Sequence, residues 1–327
     1  MERSYSAFVL RRIMAAIPLL LAIISVNFFL IRLAPGDPIT MIIGEASQYD
    51  AALVADVRAR FGLDLPLYQQ YFSYLWRALQ GDLGISFYFD QQPVLDVVLS
   101  RLPQTALLLV LGFTVAVVAG VFLGARAARR PYSATDNVAS IVGLLGYSIP
   151  SFWLGMLLIL VFSLKLDWLP VGGLMDVRTP STGLAMIVDR ARHLVLPVLA
   201  LSGFHLALIT RLTRGSMLEV LQLDYITTAR SKGLHERDVY RRHALRNALL
   251  PVVTAAGYTV GFLLAGSVLV ETVFAYPGMG RLLYQALIAR DFPLMLGILI
   301  VVSITVIVAN LVTDLVYGRI DPRIRLR

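Results

Sequence analysis

The 327-residue sequence contains no cysteine. Disulfide bonds, thiolate metal sites and cysteine nucleophiles are therefore excluded. Charge is also scarce, because only 15% of the residues are charged, against roughly 25% in an average soluble protein. The motif Gly-x-x-x-x-Gly-Lys-Ser/Thr is absent, so the chain does not bind ATP through a P-loop. No nucleophile–base pair or pair of catalytic carboxylates stands out either, and we expect no enzymatic activity in this chain.

Histidine is rare as well, with His193, His205, His235 and His243 as its only occurrences. No two of them have the i, i+4 or short-loop spacing of a metal site, and no carboxylate completes one. We therefore expect no metal ion and no cofactor bound by this chain.

Apolar residues are abundant: they make up 57% of the chain, and the mean hydropathy is +0.73. A helix needs about 20 apolar residues to span a bilayer. Six runs are candidates, namely 13–31, 105–124, 138–163, 194–209, 249–270 and 293–315. The sequence predicts an all-α polytopic membrane protein with six transmembrane helices. The net charge of +8 then reflects the membrane and its lipids, and we expect no nucleic-acid partner.

The distribution of basic residues predicts the orientation of the spans. With the N-terminus inside, the inner segments hold 18 of the 29 Lys and Arg residues in 77 positions, and the outer segments hold 11 in 125 positions. The positive-inside rule then places both termini and the loop 210–249 in the cytoplasm.

The first outer segment, 33–104, is too long for a structureless connection. Helices are predicted over Ala51–Phe61 and Leu67–Leu79, the second with an aromatic side. We expect a small folded extracytoplasmic lobe between the first two spans. The predicted organisation is an N-terminal tail and span (1–32), this lobe (33–104), a five-helix core (105–315) and a cytoplasmic tail (316–327).

The loop 210–249 is the one long, strongly basic segment between two apolar spans. Asp224 is a candidate N-cap for a helix over Tyr225–Lys232, and Gly233 is a candidate left-handed cap that ends it. A second amphipathic helix is predicted over Glu236–Leu250. Pro251 is expected to open the next span.

The loop carries a resemblance to a known family. The pattern Thr227-Thr228-Ala229, then Gly233, then the stretch from His243 to Pro251, resembles the "EAA" loop of bacterial ABC import permeases. The form Asp-Tyr-Ile-Thr-Thr-Ala-Arg-Ser-Lys-Gly-Leu at 224–234 is similar to the dipeptide, oligopeptide and nickel permeases. Thr227 replaces the general Glu and Arg246 the general Pro, as in peptide-type members.

Further segments of the same family follow in family order along nearly the whole chain. They are Gly81–Ser86, Arg101–Thr105, Ser148–Gly155, Leu169–Gly173, Gly266-Ser267, Glu271–Gly278 and Asp321–Arg325. Each segment alone is weak, but their order and spacing together are specific.

The resemblance implies the transmembrane subunit of a type I ABC importer in the bacterial inner membrane. Its implied partners are a homologous second permease subunit, two ABC ATPase subunits that bind ATP and Mg, and an extracytoplasmic solute-binding protein. It also implies that the loop docks on an ATPase. The small residues Thr228 and Ala229 would let a partner's backbone approach closely. The implied coupling residues are Asp224, Tyr225, Thr227, Thr228, Ala229, Lys232, Gly233 and Leu234.

Candidates for the translocation path come from polar or small residues in the spans. His205 could face the path, or it could be a buried histidine bonded to a neighbouring helix. Gly257, Gly261 and Ser267 indicate either a pore-lining helix or ordinary tight packing. Glu271, at the outer end of the fifth span, is the one acid expected near the substrate entry or exit.

Several functions stay open at this point. Short peptides are the favoured substrate, and a nickel chelate or a small glycoside or opine-like solute is the alternative within the family. A secondary transporter driven by an ion gradient would need buried ionisable relays in mid-span, of which the sequence has almost none. A scaffolding protein would not explain the cytoplasmic loop, and an exporter of the same superfamily would lack its motif.

Overall fold

The computed structural model describes residues 2–33, 64–178 and 182–320, and the fold is helical over these ranges. The only extended pairing within them is an isolated antiparallel bridge between Ile85 and Pro93. The predicted helix over Ala51–Phe61 lies outside the described residues, as does the end of the cytoplasmic tail, 321–327.

The helices are numbered here in chain order. They are α1 (Glu2–Leu33), α2 (Leu67–Leu79), α3 (Val94–Arg129), α4 (Ala134–Ser148), α5 (Ser151–Leu158), α6 (Leu184–Val220), α7 (Asp224–Ser231), α8 (Glu236–Asp238), α9 (Arg246–Val273), α10 (Met279–Ile288) and α11 (Phe292–Ile320). Two π-helical segments continue α5 and α8, over Ile159–Lys165 and Val239–Leu245.

Each of the six apolar runs lies on helical residues, apart from a break at Ile149 and Pro150 in the third. By length and composition, four stretches suit a membrane span: Leu10–Leu30, Val94–Arg129, Leu184–Val220 and Phe292–Thr313. A fifth span is available if α4 and the helix from Ser151 to Lys165 count as one, although they meet at a bend of 112°. The sixth run, 249–270, lies in α9, where the surroundings of residues 257–262 are not described.

Two boundaries differ from the predicted ones. The third run is not one straight span, because Pro150 follows Ile149 in an extended conformation and α5 begins again at Ser151. A residue before proline disfavours the helical region, which explains the break. Pro251, by contrast, does not open a span. It lies inside α9, which already begins at Arg246.

Contacts divide the described residues into two compact units. The first combines 2–104 with Gly278–Leu311 and includes α1, α2, the start of α3, α10 and most of α11. Its core joins Leu83 and Val94 to Leu282, Leu294 and Ile298. Asp291 is fully buried there: its carboxylate accepts from the Ser86 hydroxyl at 2.6 Å and from the backbone NH of Leu294 at 3.1 Å, which caps α11.

The second unit comprises Thr105–Pro277 and the last turns of α11. One core cluster joins Leu108 of α3, Leu196 and Leu201 of α6, and Leu263 and Phe274. Helices α3 and α6 approach closely, since a Cβ on Gly124 would stand 2.5 Å from the Thr210 carbonyl oxygen. A second cluster lies beneath α7 and is described with it.

Candidate functional site

Helix α7 is a short helix that follows a tight turn at the end of α6. Leu223 precedes it in an extended conformation, with φ −77° and ψ 146°, and provides no side-chain cap. Asp224 is the first helical residue, so the prediction that it is the N-cap is wrong. Its carboxylate instead lies in the first turn, where negative charge complements the helix dipole. The predicted helix over Tyr225–Lys232 is otherwise found within one residue at each end.

One face of α7 packs into the protein itself. Ile226 and Ala229, one turn apart, are buried, and the Ala229 side chain is only 5% exposed. They pack in a cluster with Ala128, Met217, Val239, Ala244 and Ala248. The expectation that Ala229 offers a small surface to a partner is therefore wrong, because the phase of the helix turns this residue towards the chain's own core.

The opposite face of α7 and the turn after it are exposed. Thr228 is exposed and its hydroxyl donates to the Asp224 carbonyl oxygen at 3.0 Å, within the helix. The exposed residues of the predicted coupling set are Asp224, Tyr225, Thr227, Thr228, Lys232, Gly233 and Leu234. The structure thus brings the predicted set together on one projecting element, with Ala229 as its inward anchor.

Gly233 ends the turn with φ +76°, as the sequence predicts. A Cβ placed there would meet nothing within 4 Å, so backbone conformation and not space favours glycine. Across this turn Arg230 holds Glu236 by two hydrogen bonds, of 2.8 and 3.2 Å. The hydrogen bond from Arg230 lowers the pKa of the Glu236 carboxyl below its ordinary value, so Glu236 carries its charge at neutral pH.

The predicted second amphipathic helix is interrupted by a π-helical segment, Val239–Leu245. Hydrogen bonds connect this part of the loop to its neighbours on two sides. The Asn247 amide donates to the Tyr225 hydroxyl at 2.8 Å and to the His243 carbonyl oxygen at 3.1 Å, which ties α9 to α7. The Tyr240 hydroxyl donates to the Ala125 carbonyl oxygen of α3. Burial raises the pKa of Tyr240 to about 12, so its hydroxyl stays protonated and remains a donor.

An ion pair between buried Asp136 and partly exposed Arg214 connects α4 to α6. The Arg214 guanidinium donates to both carboxylate oxygens of Asp136, at 2.5 and 2.8 Å, and Tyr132 adds a backbone NH at 2.8 Å. Sequence reasoning missed this pair, because its members are 78 positions apart. The one local signal was Ser133-x-x-Asp136, a helix-start pattern in which the Asp136 NH donates to the Ser133 hydroxyl.

Three of the candidate path residues have described surroundings, and all three are buried: His205, Ser267 and Glu271. His205 is buried in α6, and its Nδ1 has no hydrogen-bond partner among the described residues. The edge of the Phe204 ring meets the His205 ring at a centroid distance of 5.2 Å. Ser267 is buried in α9 and donates to the Leu264 carbonyl oxygen of its own helix at 2.8 Å. Gly257 and Gly261 lie in α9, but the structure does not describe what surrounds them.

Glu271 is fully buried near the end of α9. Its carboxylate accepts from the Thr105 hydroxyl of α3 at 2.8 Å. The carboxylate is enclosed by its own unit, and its expected place near the substrate entry or exit stays a prediction.

Three of the short sequence segments converge on Phe274, a contact that sequence reasoning did not find. The Gly173 backbone NH donates to the Phe274 carbonyl oxygen at 2.8 Å. A Cβ on Gly172 would stand 2.1 Å from the same oxygen, and one on Gly155 would stand 2.9 Å from the Phe274 ring. Glycine at 155 and 172 is therefore required by close approach within this unit.

Comparison with known proteins agrees with this architecture. The chain matches the family model "Binding-protein-dependent transport system inner membrane component" over residues 116–326 and the N-terminal model of the same group over residues 5–109. It is 38% identical to the oligopeptide transport system permease protein AppB of Bacillus subtilis, over 98% of this chain and 99% of that one. It is 41% identical to the dipeptide transport system permease protein DppB of Escherichia coli, over 97% and 98%.

A solved structure of the MetNI methionine ABC transporter, in inward-facing conformations, shares the fold. The TM-score is 0.54 at 19% identity, and the match covers 69% of this chain and 96% of that one. The predicted all-α polytopic fold is confirmed. The chain belongs to the family of binding-protein-dependent transport system inner membrane components, and it is a multi-pass permease subunit of an ABC importer without ATPase activity of its own.

Proposed function

We propose that this permease translocates short peptides across the bacterial inner membrane. The observation that carries the proposal is nearly full-length similarity, at 38% and 41% identity, to permeases named for oligopeptides and dipeptides. Peptides differ widely in their side chains, so their permease needs a wide path that discriminates weakly. Affinity and selection would then belong to the solute-binding protein that delivers them.

The family implies an ATPase and a solute-binding protein as partners. We infer a complex in which this chain pairs with a homologous second permease subunit above two ABC ATPase subunits. ATP and Mg would be bound by those ATPases. The loop 210–249 would face them in the cytoplasm, together with both termini, while the lobe 33–104 would face the binding protein outside.

We assign ATPase docking to the exposed face of α7 and the turn at Gly233. Several contacts of the described residues support this role. Ile226 and Ala229 seat α7 in a packed cluster, and the Tyr225–Asn247 bond and the Tyr240–Ala125 bond fasten the loop to α9 and α3. A push on α7 would therefore reach the spans as a rigid displacement. Such a displacement would convert an inward-open path into an outward-open one.

The path would include His205, Gly257, Gly261, Ser267 and Glu271. Glu271 suggests what opening of the path would expose. Because Glu271 is enclosed with Thr105 in the present conformation, opening towards the outside would uncover a carboxylate near the end of α9. The rest of the path is weakly polar, which suits a varied substrate.

Docking is tested by variants of the exposed face in the assembled transporter. Thr227→Trp adds bulk to the α7 surface, and Leu234→Asp places a charge in the contact. Both should lose peptide transport and substrate-stimulated ATP hydrolysis, or lose the ATPase on purification, while still inserting in the membrane. The matched control is Arg242→Ala, an exposed residue of the same loop outside α7. If both variants transport normally, α7 is not the docking element.

The substrate is tested by uptake in a strain that lacks this gene. Growth on dipeptides to oligopeptides as the sole amino-acid source should be lost and should return with the gene. Accumulation of radiolabelled nickel should be unchanged. Loss of nickel accumulation with unchanged growth on peptides would show that the peptide assignment is wrong.

A further inference from the structure

Helix α2 has three distinct sides. Its packed side carries Tyr71, Tyr74, Leu75 and Ala78, which contact the core of the first unit. Its polar side carries Gln69, Ser73 and Arg77, which are exposed. Its third side is a stripe of large apolar residues, defined here as the aromatic stripe, that comprises Tyr68, Phe72, Trp76 and Leu79. At about 100° per residue, the stripe spans an arc of about 80°.

The aromatic stripe is exposed to an unusual degree. Phe72 is 63% exposed and Trp76 is 64% exposed. Four large apolar side chains in one stripe, with no charged residue among them, form a patch that a water-facing surface rarely carries. We therefore expect lipid or another protein to cover the stripe.

The position of α2 along α1 identifies the surroundings of the stripe. The Tyr71 hydroxyl lies 2.7 Å from the Ser25 hydroxyl. Because Ser25 donates its own proton to the Leu21 carbonyl oxygen, Tyr71 is the donor in this pair. The Tyr71 ring also packs against Phe28 and Phe29, at centroid distances of 5.5 and 5.6 Å. All these α1 residues belong to the membrane-spanning stretch Leu10–Leu30.

Helix α2 thus lies beside the last two turns of the candidate span Leu10–Leu30. The aromatic stripe is continuous with the exposed side of that span. Phe29, which is exposed, stacks on Tyr71, and Tyr71 contacts Phe72 edge-to-face at 5.3 Å. Val26 and Leu30 are also exposed on α1.

We propose that α2 is an interfacial helix whose aromatic stripe is buried in the lipid leaflet on the side where α1 ends. Trp and Tyr are the residues that favour this boundary, because their rings are apolar and their polar atoms remain near water. The polar side, with Arg77, would face the headgroups and the aqueous phase, as in other amphipathic surface helices. A protein partner such as the solute-binding protein fits less well, because the stripe is at membrane depth and offers no charge for recognition.

The test uses single cysteines, which the natural sequence makes simple because it has none. Phe72→Cys and Trp76→Cys are spin-labelled in the assembled transporter, with its other subunits free of cysteine, in lipid nanodiscs. Collision with oxygen reports lipid, and collision with a water-soluble nickel chelate reports water. Val26→Cys on the span is the lipid control. Ser73→Cys and Arg77→Cys, on the polar side of the same helix, are the water controls.

Labels at 72 and 76 should match the label at 26, with high oxygen and low nickel accessibility, and adding the binding protein should not change them. The polar-side labels should show the opposite ratio. Labels at 72 and 76 that resemble the label at 77 would overturn the proposal. Labels shielded from both reagents, with or without the binding protein, would instead show that a protein covers the stripe. Because the readout is independent of transport, it does not depend on the peptide assignment.

Discussion

At the scale of single residues, backbone conformation explains why glycine is favoured at position 233. Its φ is +76°, and an added Cβ would meet nothing. We expect Gly233→Ala to cost about 1–2 kcal/mol through the left-handed conformation alone, and Gly233→Val to cost more. Both variants should insert normally and lose transport and substrate-stimulated ATP hydrolysis, because the turn that presents Leu234 changes direction.

Gly215 provides the matched control for that prediction. It also leaves an added Cβ without a neighbour within 4 Å, but it lies inside the helix α6. There alanine should be neutral or stabilise by about 0.5–1 kcal/mol. Gly233→Asn, which tolerates positive φ, should keep part of the activity. Equal behaviour of Gly233→Ala and Gly215→Ala would contradict the conformational argument.

The ion pair of Asp136 and Arg214 gives a second prediction at this scale. Asp136 is buried and receives both guanidinium bonds. Arg214→Met should leave the carboxylate uncompensated and cost up to about 3 kcal/mol, the lower end of the range for a broken buried pair, because Arg214 is partly exposed. Thermal unfolding of the purified subunit would measure the loss. The double variant Asp136→Leu with Arg214→Met should recover most of it, and no recovery would show that the cost does not come from the unpaired charge.

At the scale of helices, α3 and α6 form a tightly constrained contact of the second unit. A Cβ at Gly124 would lie 2.5 Å from the Thr210 carbonyl oxygen and 2.7 Å from the Thr213 Cβ. Gly124→Ala should therefore force the helices apart at a cost of about 1–3 kcal/mol. Gly143→Ala is the control, because its Cβ would approach only the Ala207 carbonyl oxygen, at 3.9 Å. A thermal shift as small for Gly124 as for Gly143 would contradict the predicted clash.

The helices also show what sequence reasoning can and cannot reach. The aromatic period of α2 predicted Leu67–Leu79 with its bounds, because helical periodicity is a local pattern, but it did not show that Tyr68, Phe72 and Trp76 stay exposed. The extent of α7 was found within one residue at each end, but its phase was not. Burial of Ala229 depends on Ala128, which is distant in sequence, and on Val239, which lies beyond the turn. The bend at Ile149–Pro150 had a local signal in the proline itself, which disfavours a helical conformation at the residue before it. The choice of Arg214 as the partner of Asp136 and the meeting of three segments at Phe274 had no local signal, because no pattern records which distant residues meet.

At the scale of the whole molecule, the two units hold different parts of the proposed function. The unit of Thr105–Pro277 contains α7, its anchors and the candidate path residues. The unit that combines 2–104 with Gly278–Leu311 contains α2 and its contacts with α1. Helices α3 and α11 contribute residues to both. Defects in ATPase coupling should accordingly arise from substitutions in the unit of Thr105–Pro277. Altered lipid contact should arise from substitutions in the unit that contains α2.

The orientation of the chain gives the last prediction. Basic residues concentrate in the segments 1–12, 125–137, 210–249 and 316–327, and the positive-inside rule places these in the cytoplasm. Alkaline phosphatase fused after Leu79 or Gly173 should be active, and fluorescent protein fused after Arg130, Ser231 or Arg325 should fluoresce. The fusion after Leu79 decides most, because the first outer segment is longer than the loops for which the rule is dependable. An inactive phosphatase there, with a fluorescent fusion at the same position, would reverse the whole topology. It would also turn the exposed face of α7 away from the ATPases, so the coupling assignment would fail with it.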